Sequence, residues 1–135
     1  MSFQVDERIA NSSFKIYDST LSEVRLKNNS DYPWIILIPR VENITEIFQL
    51  SENQQLELMN EISHLSACMK KFFNPDKINV GALGNIISQL HVHIIARFKH
   101  DLSWPQSVWR ENVEDVAYED AAREKLVQQL RVAFT

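Results

Sequence analysis

The segment at residues 51–74 limits the possible folds of this chain more than any other. Ser51 and Gln54 match the capping box that begins a helix. Past them, apolar residues recur at steps of four and three, which is the spacing of one buried helix face. The members of this face are Leu58, Ile62, Leu65, Met69 and Phe72. The sequence therefore predicts a long central helix that ends near Asn74-Pro75.

Strand-like segments, with alternating or β-branched residues, lie on both sides of this helix. They are residues 14–17, 24–26, 32–40, 78–83 and 89–97. Residues 103–116 carry aromatic side chains without a period and predict a packed loop. Helical spacing returns near Glu119, and its predicted buried side is Ala122, Leu126, Leu130, Ala133 and Phe134. This order predicts an α+β fold with an antiparallel sheet.

Length and charge exclude several classes of protein. The 135 residues have the size of one domain, residues 1–135. Fourteen basic residues against 18 acidic ones give a net charge of −4, so we expect no nucleic-acid partner. The longest apolar stretch, residues 34–38, is too short to span a bilayer, so we expect no membrane partner. A single cysteine, Cys68, and a start without a signal-peptide pattern predict a cytoplasmic protein.

The segment at residues 89–97 carries the most unusual chemistry. In a strand, Leu90 and its alternate neighbours face inward, while Gln89, His91 and His93 share the opposite face. With a rise of about 3.3 Å per residue, the two histidines lie roughly 6–7 Å apart at the backbone. Both imidazoles can therefore contact one small anionic group.

The spacing alone leaves two other interpretations of these histidines open. They could be solvent-facing residues of an ordinary strand, or a pair of metal ligands. A metal site needs a third ligand, and no Cys, Asp or Glu in the strand supplies one. We therefore expect no metal and no cofactor.

The segment resembles the signature of the histidine triad (HIT) family, in which three histidines alternate with apolar residues. The run Gln-Leu-His-Val-His at residues 89–93 lies in that register, with Gln89 in place of the first histidine. Upstream, Asn79-x-Gly81 and Gly84-Asn85 resemble the family's N-x-G and G-Q pairs. Residues 26–29 and 34–40 resemble its ribose-side strand, turn and proline-ended strand. The likeness covers about residues 14–97, and the segment with Trp104 and Trp109 resembles a bacterial branch of the family.

The resemblance implies a HIT-like fold: a five-stranded antiparallel sheet with one long and one C-terminal helix, often paired as a homodimer. The core would lie at about residues 14–97, and the C-terminal loop and helix at 98–135. The implied activity is cleavage at the α-phosphate of nucleoside phosphoramidates, dinucleoside polyphosphates or nucleotidyl adducts. The partner would be a nucleotide or dinucleotide, and the reaction would pass through a covalent histidine–nucleotidyl intermediate.

The resemblance also implies residue roles. His91 matches the nucleophile, and His93 matches the histidine that contacts the phosphate oxygens, where a protonated ring would offer positive charge. The backbone carbonyl of Gln89 would accept the second ring N–H of His91. Asn28 matches the position that binds the ribose hydroxyls. Asn79, Gly84 and Asn85 match loop positions near the phosphates, where Gly81 and Gly84 would let the backbone approach.

Two departures from the family pattern bear on the rate. The Gln89 amide could donate a hydrogen bond to a phosphate or leaving group, but it cannot act as an acid. Ile86 stands where many relatives have a serine, and Ser88 is close in sequence. We therefore predict a working but slow hydrolase. The alternative is a nucleotide-binding or interaction module with little turnover.

Overall fold

The computed structural model describes residues 2–110 and 114–135, and within them five strands form one antiparallel sheet. The strands are β1 (Ser13–Asp18), β2 (Ser22–Lys27), β3 (Trp34–Pro39), β4 (Lys77–Gly81) and β5 (Val92–Arg97). Their order in the sheet is β1-β2-β3-β5-β4. This arrangement confirms the predicted α+β fold and places β5 between two paired neighbours.

The helices are α1 (Glu7–Ala10), α2 (Glu52–Phe73) and α3 (Asp120–Phe134). The predicted capping box is present: Ser51 Oγ accepts the Gln54 N–H at 3.2 Å, and Gln54 Oε1 accepts the Ser51 N–H at 2.9 Å. Asn74 ends α2 in the left-handed conformation, with φ 52°. No helix in the described residues is long and apolar enough to cross a membrane.

One face of the sheet packs against α2 and α3 and forms the main core. Two residues that we predicted on the buried faces of the helices are exposed. Phe73 packs on this core, whereas the predicted Phe72 is 38% exposed and lies against the Phe73 ring, with the two centroids 4.7 Å apart. Ala122 lies in the first turn of α3 and is exposed, so the buried side of that helix begins at Leu126.

The other face carries a second apolar cluster, which is made by the sheet, the N-terminal residues and the loop after β5. Its buried members are Ile9, Tyr32, Trp34, Ile36, Ile38, Ile95 and Val108, and Phe3, Val5, Ile87 and Trp109 pack against them. β3 is therefore buried on both faces, as its unbroken apolar run requires. The predicted packed loop contributes Val108 and Trp109, while its residues 111–113 lie outside the described residues.

β5 begins three residues later than predicted, at Val92 instead of Gln89. Leu37 of β3 pairs with Val92, so continued pairing would set Leu90 opposite Pro39. Proline has no N–H to donate to the ladder. The Leu90 N–H donates instead to the Ile44 carbonyl at 2.9 Å. Gln89 and His91 therefore lie in an irregular segment just before β5, and the Leu90 hydrogen bond connects this segment to the loop that carries Ile44.

Candidate active site

The structure brings His91 and His93 together at the start of β5. Their ring centroids are 4.8 Å apart, and the ring planes are inclined by 74°. The two residues are 7% and 8% exposed. Both line a cleft of about 590 Å³, which lies within the range for sites that bind small molecules. The predicted pair is therefore buried but open to a cleft, and it does not lie on an ordinary solvent-facing strand.

A backbone hydrogen bond sets the tautomer of His91. Its Nδ1 lies 2.6 Å from the carbonyl oxygen of Gln89. A carbonyl can only accept, so Nδ1 carries the hydrogen and Nε2 keeps a lone pair. This is the hydrogen bond expected from the family resemblance, and it leaves Nε2 free for nucleophilic attack.

A different residue sets the tautomer of His93. The indole Nε1–H of Trp34 donates to His93 Nδ1 at 2.8 Å. An indole can only donate, so His93 Nδ1 holds a lone pair and its hydrogen is on Nε2. Burial, together with the proximity of the His91 ring and of Lys27, lowers the pKa of His93 to about 3. In the unliganded protein the ring is therefore a neutral hydrogen-bond donor, and not the protonated ring that we expected next to a phosphate.

Trp34 was not predicted as a site residue. The sequence placed it in an apolar strand run, where a buried side chain needs no polar partner. The available signal was its indole N–H, since a buried tryptophan usually finds an acceptor. Its partner depends on the register of β3 against β5, in which Ile36 pairs with His93.

Trp109 forms one wall of the cleft. Its ring centroid is 5.4 Å from that of His93 and 6.2 Å from that of Trp34. Gly81 of β4 pairs with His93, and a Cβ at this glycine would lie 2.8 Å from Cη2 of Trp109. Gly81 therefore makes room for the tryptophan ring, whereas we had expected it to let the backbone approach a phosphate.

The predicted loop residues divide into two groups. Gly84 and Asn85 line the cleft, and Gly84 has a φ of +69°, a conformation that favours glycine. Among the described residues, the cleft lining does not include Asn28 or Asn79. Asn28 Oδ1 accepts the Tyr118 N–H at 2.9 Å, and Asn79 Oδ1 accepts a hydrogen bond from Arg97 at 3.0 Å.

The Gln89 side chain does not face the cleft, contrary to our expectation that it could donate to a substrate. Its Oε1 accepts the Asp6 N–H at 2.8 Å, and its Nε2 donates to the Gln4 carbonyl at 2.9 Å. Gln89 lines a separate depression next to Asp6 and Ser88. Its amide is therefore engaged by the N-terminal residues.

The charged side chains of the cleft lining are basic. Lys27 and Arg110 line it, and no carboxylate does so within residues 2–110 and 114–135. Lys27 Nζ lies 3.2 Å from an Asp115 carboxylate oxygen and 5.2 Å from the centroid of the Trp34 ring. Two basic side chains thus border the cleft although the whole chain is acidic. In the same described part, no group of three or more Cys, His, Asp or Glu side chains is placed to hold a metal.

The chain is similar to known proteins of one family. Residues 8–100 match the model of the HIT domain family. A histidine triad protein of Marinobacter aquaeolei is 40% identical with a TM-score of 0.94, covering 99% of this chain and 97% of the other. A histidine triad protein of Bradyrhizobium japonicum is 36% identical with a TM-score of 0.95 over both full chains.

A further histidine triad protein, from Sinorhizobium meliloti, is 36% identical with a TM-score of 0.90, covering 96% of this chain and 94% of the other. The search of curated proteins found no match. These matches place the chain in a superfamily of nucleotide hydrolases and transferases. This chain belongs to the histidine triad family.

Proposed function

We propose that the chain cleaves nucleotides at the α-phosphate, with His91 as the nucleophile that becomes nucleotidylated. The observation that carries this proposal is the pair of complementary tautomers. His91 holds a lone pair on Nε2, and His93 holds a hydrogen on Nε2, with the two rings 4.8 Å apart on one cleft. A nucleophile and a fixed neutral donor next to it suit attack on a phosphorus whose oxygens need hydrogen bonds.

The reaction would proceed by two displacements. His91 Nε2 attacks the α-phosphorus, and a nitrogen–phosphorus bond forms. The bond to the leaving group breaks with its electron pair on the leaving group, which takes a proton from solvent. The Gln89 carbonyl oxygen, which accepts the Nδ1–H of His91, stabilises the positive charge of the substituted ring. Water then attacks phosphorus, the pair of the nitrogen–phosphorus bond returns to Nε2, and a proton passes to solvent. The products are a nucleoside monophosphate, the protonated leaving group and free His91.

The cleft supports a nucleotide substrate. The flat ring of Trp109 and the side chains of Val108 and Ile87 offer an apolar surface for a base, while Lys27 and Arg110 complement phosphates. We propose that Gly84 and Asn85 contact the phosphates. We propose that Asn28 and Asn79, which hydrogen-bond elsewhere, contribute by holding the cleft walls. Nucleoside phosphoramidates, dinucleoside polyphosphates and nucleotidyl adducts are the proposed substrates.

The test is to incubate the protein with an adenosine phosphoramidate and with a diadenosine polyphosphate, and to measure the AMP released. His91→Ala should lower the rate by about 1,000-fold or more, because it removes the nucleophile. The control His100→Ala changes an exposed histidine beyond β5 and should act like the wild type. Mass spectrometry of a quenched reaction should find the nucleotidyl group on the peptide with His91. AMP release no faster than in His91→Ala, for all these substrates, would reject the proposal.

A specific observation favours the alternative, a nucleotide-binding module with little turnover. Ile86 lies at the cleft, is 85% exposed and has no hydroxyl to offer. Ser88 lies in the separate depression and does not replace it. Tight AMP binding by calorimetry, without an adduct on His91 and without AMP release, would support this module over the enzyme.

The homodimer and the cytoplasmic location stay predictions. Light scattering, which measures the mass of the native protein, tests the prediction of a homodimer. A mass of one chain at micromolar concentration would contradict it.

A further inference from the structure

The side chain of Gln89, at the position of the family's first histidine, holds the N-terminal arm, which we define as residues 2–6. Its amide accepts the Asp6 N–H at 2.8 Å and donates to the Gln4 carbonyl at 2.9 Å. These two main-chain groups lie two residues apart on the arm. One amide thus pairs with the arm much as a neighbouring strand would.

The arm has a second polar contact with the same loop. Arg8, just past the arm, donates to the Ile86 carbonyl at 3.3 Å and pairs with the Asp6 carboxylate at 3.0 Å. The loop at residues 84–89 is therefore held at residue 86 and at residue 89. Between these points it carries no helix or strand of its own.

Apolar contacts fix the arm in place. Phe3 and Val5 are half-buried and pack against the second apolar cluster, to which Ile87 and Trp109 also belong. Ile87 and Trp109 line the cleft. The arm therefore supports, from outside, both the loop and the wall next to the two histidines.

Gln89 also connects the arm to the nucleophile. While its side chain binds the arm, its carbonyl accepts Nδ1–H of His91 at 2.6 Å. We propose that Gln89 is a positioning residue: by holding the arm it fixes the carbonyl that orients His91. The effect on the reaction rests on the proposed function, whereas the effect on the His91 ring does not.

The first test measures the ring of His91 in the unliganded protein. Gln89→Met keeps a side chain of similar length but removes both hydrogen bonds to the arm. The ¹⁵N NMR signals of His91, assigned with His91→Ala, should then shift from one tautomer toward a mixture of two. Gln128→Met on the exposed side of α3 is the matched control and should leave the signals unchanged. An unchanged His91 spectrum in folded Gln89→Met would overturn the proposal.

The second test removes the Asp6 N–H instead of the Gln89 side chain that accepts it. Asp6 has a φ of −51°, which proline can adopt, so Asp6→Pro deletes the donor to Gln89. Asp6→Ala is the control, since both variants lose the carboxylate that caps α1 and pairs with Arg8, but only proline loses the N–H. We expect Asp6→Pro to shift the His91 signals as Gln89→Met does, and Asp6→Ala to leave them near the wild type. Equal shifts in both Asp6 variants would contradict the role of the N–H.

Kinetics extend the test if the wild type turns over. Gln89→Met and Asp6→Pro should each lower kcat by about tenfold, with KM changed by less than about twofold, because the nucleophile is misplaced while the cleft is kept. The double variant should be no slower than either single one. Losses that multiply would show that Gln89 acts independently of the arm. Failure of the wild type to release AMP would count against the proposed function alone, and the NMR result would still decide the role of Gln89.

Discussion

Two clusters of buried polar side chains on the same face of β5 differ in how many of their nitrogen atoms are hydrogen-bonded. At one end, His91 and His93 each have one ring nitrogen engaged and one left over. At the other end, Arg97 is 1% exposed, and each nitrogen of its guanidinium is bonded. The histidine end borders a cleft, whereas the arginine end is closed.

The partners of Arg97 account for its full charge in the interior. Its guanidinium pairs with both oxygens of Asp101, at 2.8 and 3.0 Å, and also contacts Asn79, Ser103 and the Gln106 carbonyl. Burial tends to raise the pKa of Asp101, but the hydrogen bonds from Arg97 and from backbone N–H groups, with the Arg97 charge, lower it overall. A saturated cluster of this kind holds the loop that carries Trp109, while the histidines with a free nitrogen are available for chemistry.

Breaking the saturated cluster should produce the largest effect on stability. Arg97→Met leaves the Asp101 carboxylate buried without its partner, which we expect to cost about 3–5 kcal/mol. Urea unfolding measures this loss. Lys15→Met, which breaks an exposed pair with Asp18, is the control and should cost about 0.5 kcal/mol or less. Similar losses in the two variants would contradict the contrast between the two clusters.

The neutral state of His93 should make stability depend on pH. Its pKa is about 3 in the folded protein against 6.5 for the free side chain, so between these values the unfolded chain binds a proton that the folded one does not. Lowering the pH through this window should destabilise the wild type by about 1.4 kcal/mol per pH unit relative to His93→Gln. Above pH 6.5 the difference in stability between the wild type and His93→Gln should be constant. Parallel stability curves for the two proteins from pH 7 to 4.5 would show that His93 is protonated in the fold.

The Trp109 wall of the cleft should make the stability of the protein sensitive to a single methyl group at residue 81. Gly81→Ala places a Cβ 2.8 Å from Trp109 Cη2, so the ring must move, at an expected cost of about 1–3 kcal/mol. Trp109→Leu should remove this clash, so adding Gly81→Ala to it should cost clearly less. Thermal unfolding of the four proteins measures the difference. Equal costs in both backgrounds would mean that the glycine is needed for another reason.

The smallest expected effect comes from the donor to His93. Trp34→Phe keeps the aromatic packing but removes the N–H, so the His93 hydrogen is no longer restricted to Nε2. We expect kcat/KM to fall by about tenfold, the usual value of one hydrogen bond. Trp104→Phe, which makes the same change at a tryptophan outside the cleft lining, is the control. The ¹⁵N signals of His93 should show two tautomers in Trp34→Phe, and a single tautomer would contradict the role of the indole.

The sequence predicted the elements well because each is encoded locally. The capping box and the apolar stripe of α2 are patterns over neighbouring residues, and the antiparallel sheet was predicted from the succession of strand and helix segments along the chain. Local patterns failed where the length of one strand depends on a residue of its neighbour. Pro39 lies 50 residues before Gln89, and its missing N–H shortens β5 through a pairing that periodicity cannot show. The division into a core at about 14–97 and a C-terminal part at 98–135 stays a prediction.

The site was predictable in its histidines but not in their protonation. Spacing placed His91 and His93 on one face, and the family resemblance supplied the carbonyl of Gln89. The neutral His93 depends on Trp34, 59 residues earlier in the chain, and on burial by the loop that carries Trp109. Asn28 and Asn79 matched family positions, yet their amide oxygens accept hydrogen bonds from Tyr118 and Arg97 outside the cleft. Such contacts arise only when distant segments meet.

The hydrogen bond from His91 to the Gln89 carbonyl has a consequence for how such chains diverge. Every amino acid carries that carbonyl, so substitutions at residue 89 leave the acceptor itself in place. Selection can then recruit the side chain for another purpose without removing the hydrogen bond that orients the His91 ring. A motif search that demands three histidines would discard chains of this type, whereas one that accepts any residue at the first position would retain them.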